Sequence, residues 1–272
     1  MGAIADFSAY RSGADTGTKF SFAATVYGLT TPVNPVFGGS FFLMGGSVPS
    51  TAAACDAGTV GALPTCPIFS ALTAQRWLVQ AESMQSNAAT GYGALLYDRL
   101  SHQGGLSGIV ATAQTTNLPT AALPRYTTGA QVWIGLEIYT AVGATATTVT
   151  ANYTNQAGTA GRTTKAVAFG GSGTNSAGTI VILPLADGDT GVRSVESVTL
   201  AATTGTAGNF GVTLIMPLFV LPPAYGGIPE SIYANGLMAG KMIELVSNAC
   251  LGVLTKANGN LQQLGALTVI EA

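Results

Sequence analysis

The sequence predicts a mainly β protein, an antiparallel β-sandwich or barrel with one short helix and extended arms. Three observations predict it. Beyond residue 130 apolar and polar residues alternate in short runs, as half-buried strands require. Glycine-rich turns separate those runs, and the chain holds 36 glycines. The off-face positions are rich in threonine, which is both β-branched and polar and so suits an exposed strand face.

Residues 1–18 read as an irregular N-terminal arm. KFSFAATVYG (19–28) alternates: Phe20, Phe22, Ala24 and Val26 share one face, Lys19, Ser21 and Thr25 the other. VFGGSFFLMGG (36–46) is a second, glycine-interrupted apolar segment, and 47–67 is loop-like. IFSALTAQRWLVQAESMQSNAAT (68–90) lacks Gly and Pro. Its apolar residues Phe69, Leu72, Trp77, Ala81 and Met84 approach helical spacing, which makes it the helix candidate, with a strand over 76–82 as the alternative. GYGALLYDRLSHQGGLSG (91–108) ends near a Gly104-Gly105 break. TAQTTNLPTAALPRYTTG (112–129), with Pro119 and Pro124, reads as an extended crossing segment.

Strands then follow in quick order. QVWIGLEIY (131–139) lines Val132, Ile134, Leu136 and Ile138 on one face and places Trp133 on the other, exposed or interfacial. TTVTANYT (147–154), TTKAVAF (163–169), the all-apolar TIVILPL (179–185), VRSVESVTLAA (192–202) and FGVTLIMPL (210–218) complete the run. GTAG occurs at 158–161 and again at 205–208, each time after a strand containing Val-Thr, and reads as shared hairpin grammar. In the last part of the chain, Asn258-Gly259 is a type I′ hairpin signal between GVLTK and LQQLGALTV. The expected organisation is an arm (1–18), a sandwich (19–222) with an inserted helix and extended segment near 68–129, and a C-terminal extension or closing hairpin (223–272).

Composition narrows the function. Charged residues are 8% of the chain, against about 25% in an ordinary soluble domain. Mean hydropathy is +0.41. Ten basic and twelve acidic residues cannot cover the surface of 272 residues, so much of it faces other subunits or is neutral enough to tolerate close neighbours. Both point to assembly, a homo-oligomer included. A membrane is not expected: the longest apolar stretch, FGVTLIMPLFVLPP (210–223), falls short of the roughly 20 residues a spanning helix needs. No signal peptide is visible. Net charge is −2 and the basic residues are scattered, so direct nucleic-acid binding is not expected either. The odd count of cysteines, Cys55, Cys66 and Cys250, is no disulfide framework. Cys55 and Cys66 sit close enough in sequence to close a loop, but reduced buried thiols are the preferred reading.

His102 is the sole histidine, in YDRLSHQGG (97–105) beside Asp98, Arg99 and Ser101. Ser101 is adjacent to it, poor geometry for a nucleophile and its own base, and no G-x-S-x-G elbow exists in the chain. Asp98, Arg99 and His102 are therefore expected to tie down a loop or an interface by charge-assisted hydrogen bonds, with no catalytic residue assigned. DGDTG (187–191) places Asp187 and Asp189 at the spacing that opens a calcium loop. Gly191 then stands where a third acid belongs, and the distal Glu is missing, so the two aspartates read as turn formers and only weak metal candidates. Glu137 and Glu196 fall at solvent-facing parity and read as surface or interface charges. Trp77 and Trp133 could form a sugar platform, although interface burial is the preferred use of Trp133. No cofactor is expected.

GYGALLYDRLSHQGGLSGIVATAQTTNLPTAALPRY (91–126) and SVTLAATTGTAGNFGVTLIMPLFVLP (197–222) resemble virion structural proteins of tailed bacteriophages: Thr/Ala/Gly-rich, charge-poor and strand-dominated. The resemblance covers most of 91–222. It has no diagnostic residue signature, so no functional residue carries over from it. It implies a jelly-roll-like or related β-sandwich, lattice assembly and no enzymatic activity. The expectation is a structural subunit of a phage particle, a capsid-associated decoration or cement protein. It would be made in the host cytoplasm, with copies of itself and the major capsid protein as partners. A tail, collar or fibre component, a carbohydrate-binding module and, last, a hydrolase using His102 are the alternatives.

Overall fold

A computed structural model describes residues 18–26, 37–39, 52–56, 76–85, 92–116, 118, 123–171, 174–224, 231–235, 243–255 and 261–271. The described residues form seventeen strands: β1 (Thr18–Val26), β2 (Phe37–Gly39), β3 (Ala53–Ala54), β4 (Arg76–Gln85), β5 (Tyr92–Leu106), β6 (Gln114–Thr115), β7 (Trp133–Thr140), β8 (Thr147–Asn155), β9 (Arg162–Thr163), β10 (Val167–Phe169), β11 (Thr179–Leu183), β12 (Val192–Leu200), β13 (Asn209–Ala224), β14 (Ser231–Asn235), β15 (Ile243–Leu245), β16 (Leu251–Thr255) and β17 (Leu261–Glu271). The fold is mainly β, built of antiparallel sheets, as the alternating sequence predicts.

A seven-stranded sheet runs in the order β13-β7-β11-β2-β16-β5-β3, and β13 also pairs with β5. The first six strands of that order therefore close into a hydrogen-bonded ring, which leaves them no free edge along those pairings. A five-stranded sheet, β10-β8-β12-β6 with β9 on β8, packs against the outside of the ring. Between the two layers lies the main core, with Ile134, Leu136 and Ile138 of β7, Val212 and Leu214 of β13, and Val149, Tyr153, Val195 and Val198 of the facing sheet. This is sandwich packing. The inner face of the ring carries a second cluster of Leu95, Tyr97, Ile180, Ile215 and Leu254, with Trp133 and Ile182 against it. A third sheet joins β1, β17, β4, β14 and β15.

Burial on both faces explains why β11 is apolar from Ile180 to Leu183. It also corrects one expectation. Strand parity alone placed Glu137 toward solvent, but β7 is buried on both sides and Glu137 is 1% exposed. Trp133 does lie opposite the β7 apolar face, yet it is half-buried, because that side is the lining of the ring.

Other expectations change as well. Residues 76–85 of the helix candidate are a strand. β17 hydrogen-bonds one edge of β4, and β14 and β15 bond the other, so the backbone is satisfied without helical bonds, and Trp77, Leu78 and Val79 suit a strand. Gly104-Gly105 is no break: β5 runs on to Leu106 through a bulge opposite Gly211. That bulge needs its glycines. Gly105 has φ of 89°, and a Cβ on Gly211 would stand 1.7 Å from the Gln103 carbonyl oxygen. The first GTAG turn connects β8 to β9, which do pair, but the second leads from β12 in one sheet to β13 in the other. β16 and β17 likewise belong to different sheets, so the Asn258-Gly259 signal joins no hairpin between them; residues 256–260 lie outside the described set. The arm before Thr18 and Cys66 lie outside it too.

Candidate functional site

Four of the chain's rare charges, Asp98, Arg99, Arg125 and Glu137, meet at β5. A second bulge, at Leu100, shapes the place: Ser101 pairs with Leu214 and Arg99 with the next residue, Ile215, leaving Leu100 as the extra residue. The bulge resets the strand's alternation, so Arg99 and His102, three residues apart, reach one another, while Leu100 joins the core between the layers.

Within the ring, Arg99 is the hub. Its Nε donates to Thr213 Oγ1 at 3.1 Å, and its Nη2 donates to Glu137 Oε2, to Tyr139 Oη at 3.3 Å and to His102 Nδ1 at 2.8 Å. Arginine has no acceptor, so His102 Nδ1 is the accepting nitrogen and the ring hydrogen sits on Nε2. Tyr139 Oη also lies 3.1 Å from Nδ1. Burial first, and then the Arg99 charge, lower the His102 pKa to about 3, so the imidazole is neutral over the physiological range. Burial pushes the Glu137 carboxyl up, opposed by Arg99.

The other pair faces the opposite way. Asp98, 0% exposed, takes a two-pronged grip from Arg125: Nε to Oδ2 and Nη2 to Oδ1, both at 2.7 Å. Arg125 also donates to the carbonyls of Cys55 at 2.9 Å and Arg99 at 3.0 Å, and the Cys250 backbone N donates to Asp98 Oδ1 at 2.8 Å. Asp98 thus binds the far end of the 112–129 segment, which returns to β5 at Arg125. Burial raises the Asp98 pKa, and Arg125 opposes the rise.

Sequence proximity brought out Asp98, Arg99 and His102. It missed Arg125, Tyr139 and Thr213, and it misplaced Glu137. The usable signal was scarcity: in so charge-poor a chain each interior charge needs an opposite partner. Which partner depends on strand pairing, and no local spacing reports that.

The remaining candidates lie elsewhere. Asp189 accepts from Tyr153 Oη at 2.5 Å, Arg162 Nε at 2.8 Å and Asn155 Nδ2 at 2.7 Å. Those bonds, Tyr153 foremost, hold its pKa down to about 2. Asp187 pairs at the surface with Lys165 at 2.5 Å. Both carboxylates are therefore engaged by cations of the chain itself. Among the described residues no group of three His, Cys, Asp or Glu side chains is placed to hold a metal. Trp133 walls a cleft of about 380 Å³ together with Ile182, Leu185, Asp187 and Thr190. Among the described residues, no helix is long and apolar enough to cross a membrane.

No protein-family model matches the sequence, and no curated protein matches it. Among solved structures the chain is similar to VP2 of infectious bursal disease virus. For a mutant VP2 in derived T=1 particles the identity is 10% and the TM-score 0.20, over 94% of this chain and 78% of that one. For another structure of the derived T=1 particles the figures are 11% and 0.20, over 96% and 82%.

Proposed function

We propose that the chain is a non-enzymatic structural subunit of a phage particle, a capsid-associated decoration or cement protein that strengthens the shell through contacts between subunits. The observation that carries this reading is where the charge goes. Two acids and two bases, Asp98, Glu137, Arg99 and Arg125, are withdrawn into the interior of an already charge-poor chain. Part of the described surface left behind is uncharged, as on the outward Thr148, Thr150 and Asn152 of β8. Such a surface suits close neighbours better than free dispersal. The phage assignment draws on the sequence resemblance over 91–222.

An apolar tip fits the same role. Ile109 and Val110 are 52% and 36% exposed at the end of the sandwich. The loop that bears them is held in place. Gln114 Oε1 accepts from the Ser107 N–H at 2.8 Å, and Gln114 Nε2 donates to the carbonyls of Ser107 and Val110 at 3.0 and 3.2 Å. The backbone of Gly108 bonds Ala207 and Thr204, both at 2.7 Å. A pre-ordered apolar tip loses little entropy on docking. His102 fits a structural role because its accepting nitrogen already serves Arg99.

Electron microscopy of particles, with purified subunit added back to shells lacking it, tests the reading. Many copies bound on the shell in a regular array, and loss of binding in the Ile109→Ser, Val110→Ser double variant, are expected. A few copies at a single vertex would place the chain in the collar or tail, and hydrolytic activity lost on His102→Ala would overturn the structural reading. The Trp133 cleft favours a second reading, glycan recognition. Binding on a glycan array that disappears in Trp133→Ala would support it.

A further inference from the structure

Cys55 and Cys250 are far apart in sequence and meet on one edge of β5. Cys55 directly follows β3, and Cys250 directly precedes β16. Both strands run antiparallel to β5: Ala54 lies opposite Ser101, and Leu251 opposite Asp98. In the gap between, the Cys55 N–H donates to the Leu100 carbonyl and the Cys250 carbonyl accepts from the Arg99 N–H, each at 2.8 Å. The two cysteines thus stand end to end opposite consecutive residues of β5, as though β3 and β16 were one strand cut between them. Both thiols are free and buried, and the Cys250 thiol hydrogen-bonds the Cys55 sulfur.

We propose that Cys55 and Cys250 form a disulfide when the folded protein meets a small-molecule disulfide oxidant, of which oxidised glutathione is the type. The bond would staple β3 to β16 across the ionic network. This inference does not depend on a role in a particle.

The chemistry assigns the order of events. The hydrogen bond from Cys250, and to a lesser extent Arg99 and Arg125, hold the Cys55 thiol below its ordinary pKa against the effect of burial, whereas Cys250 is pushed up. Cys55 is therefore the attacking thiolate. It displaces one thiolate from the oxidant and forms a mixed disulfide. Cys250 then gives up its proton and attacks the Cys55 sulfur, expelling the second thiolate. Two protein thiols become one disulfide, and the oxidant leaves as two thiols carrying the two protons. Cys55 is fully buried, but its neighbours Ala54 and Asp56 are exposed, so the oxidant needs only a local opening of the β3 end.

The test uses the full chain carrying Cys66→Ser, treated with oxidised glutathione under native conditions and mapped by non-reducing peptide mass spectrometry. Expected are a Cys55–Cys250 linked peptide, loss of both titratable thiols, and a rise in Tm of roughly 5–10 °C that dithiothreitol reverses. Cys55→Ala and Cys250→Ala in the same background should gain nothing from the oxidant. Two thiols that persist in the folded protein while the denatured chain oxidises would overturn the proposal. So would a stable glutathione adduct with no internal bond, or a Cys55–Cys66 bridge in the unsubstituted chain.

Discussion

Among the described residues there are two kinds of ionic cluster. On β5 the pairs Arg99–Glu137 and Asp98–Arg125 are buried. On the turn between β11 and β12, Lys165–Asp187 lies at the surface, while Asp189, its side chain 5% exposed, pairs with the partly exposed Arg162. The carboxylates respond in opposite directions. Burial raises Asp98 and Glu137, while hydrogen bonds hold Asp189 down to about 2. A buried pair is a joint arrangement whose halves cannot be parted cheaply, whereas a surface pair is two solvated groups that happen to meet. Charge scarcity in this chain therefore does not mean that charge is unimportant to it.

The comparison breaks most visibly if one buried partner is removed. Arg99→Met leaves Glu137 uncompensated inside the ring and is expected to destabilise the fold by about 3–5 kcal/mol. Denaturant unfolding would measure this. The double variant Arg99→Met, Glu137→Leu should recover most of the loss, and failure to recover it would show that the hub works through Thr213, Tyr139 and His102 more than through the ion pair.

A smaller effect should appear with pH. His102 is lowered in the fold from 6.5 to about 3, so the unfolded chain takes up this proton first as pH falls. Its contribution to stability is complete above about pH 6.5 and drains away as pH drops toward 3. His102→Gln retains an acceptor for Arg99 and should flatten the Tm–pH curve across that window. Asp189 acts lower on the scale: its stabilisation is present above its ordinary value of 3.8 and is lost toward about pH 2. Asp189→Asn should remove that acid step alone. The smallest effect is expected of Lys165→Ala, whose partner side chain is 92% exposed: Tm should be unchanged within error, and a clear drop would mean that the surface cluster behaves as a network.

Much of the fold was legible because alternation is local. The runs at 19–28, 131–139, 147–154 and 210–218 each contain an observed strand or most of one. β4 misled because apolar residues spaced three to five apart occur by chance in a strand whose pairing partners lie far along the chain. At the site, Asp98, Arg99 and His102 stood out as neighbours in sequence. Glu137 and Arg125 did not, because what joins them to β5 is the pairing of β7 with β13 and the return of the 112–129 segment. Parity reports which face a residue takes, and a ring packed on its outside is dry on both.

Closure of the ring also governs how the chain is made. β5 closes the ring through β13 and β16, so the cycle stays open until residues near 255 have left the ribosome. Until then the nascent chain presents bare strand edges around a partly formed interior, and the pairings still missing span long stretches of sequence. Such a topology has high contact order and folds slowly. The chain is therefore most vulnerable to clumping during synthesis, and its yield of native protein should rise when translation is slowed by cold or when chaperones hold the waiting edges apart.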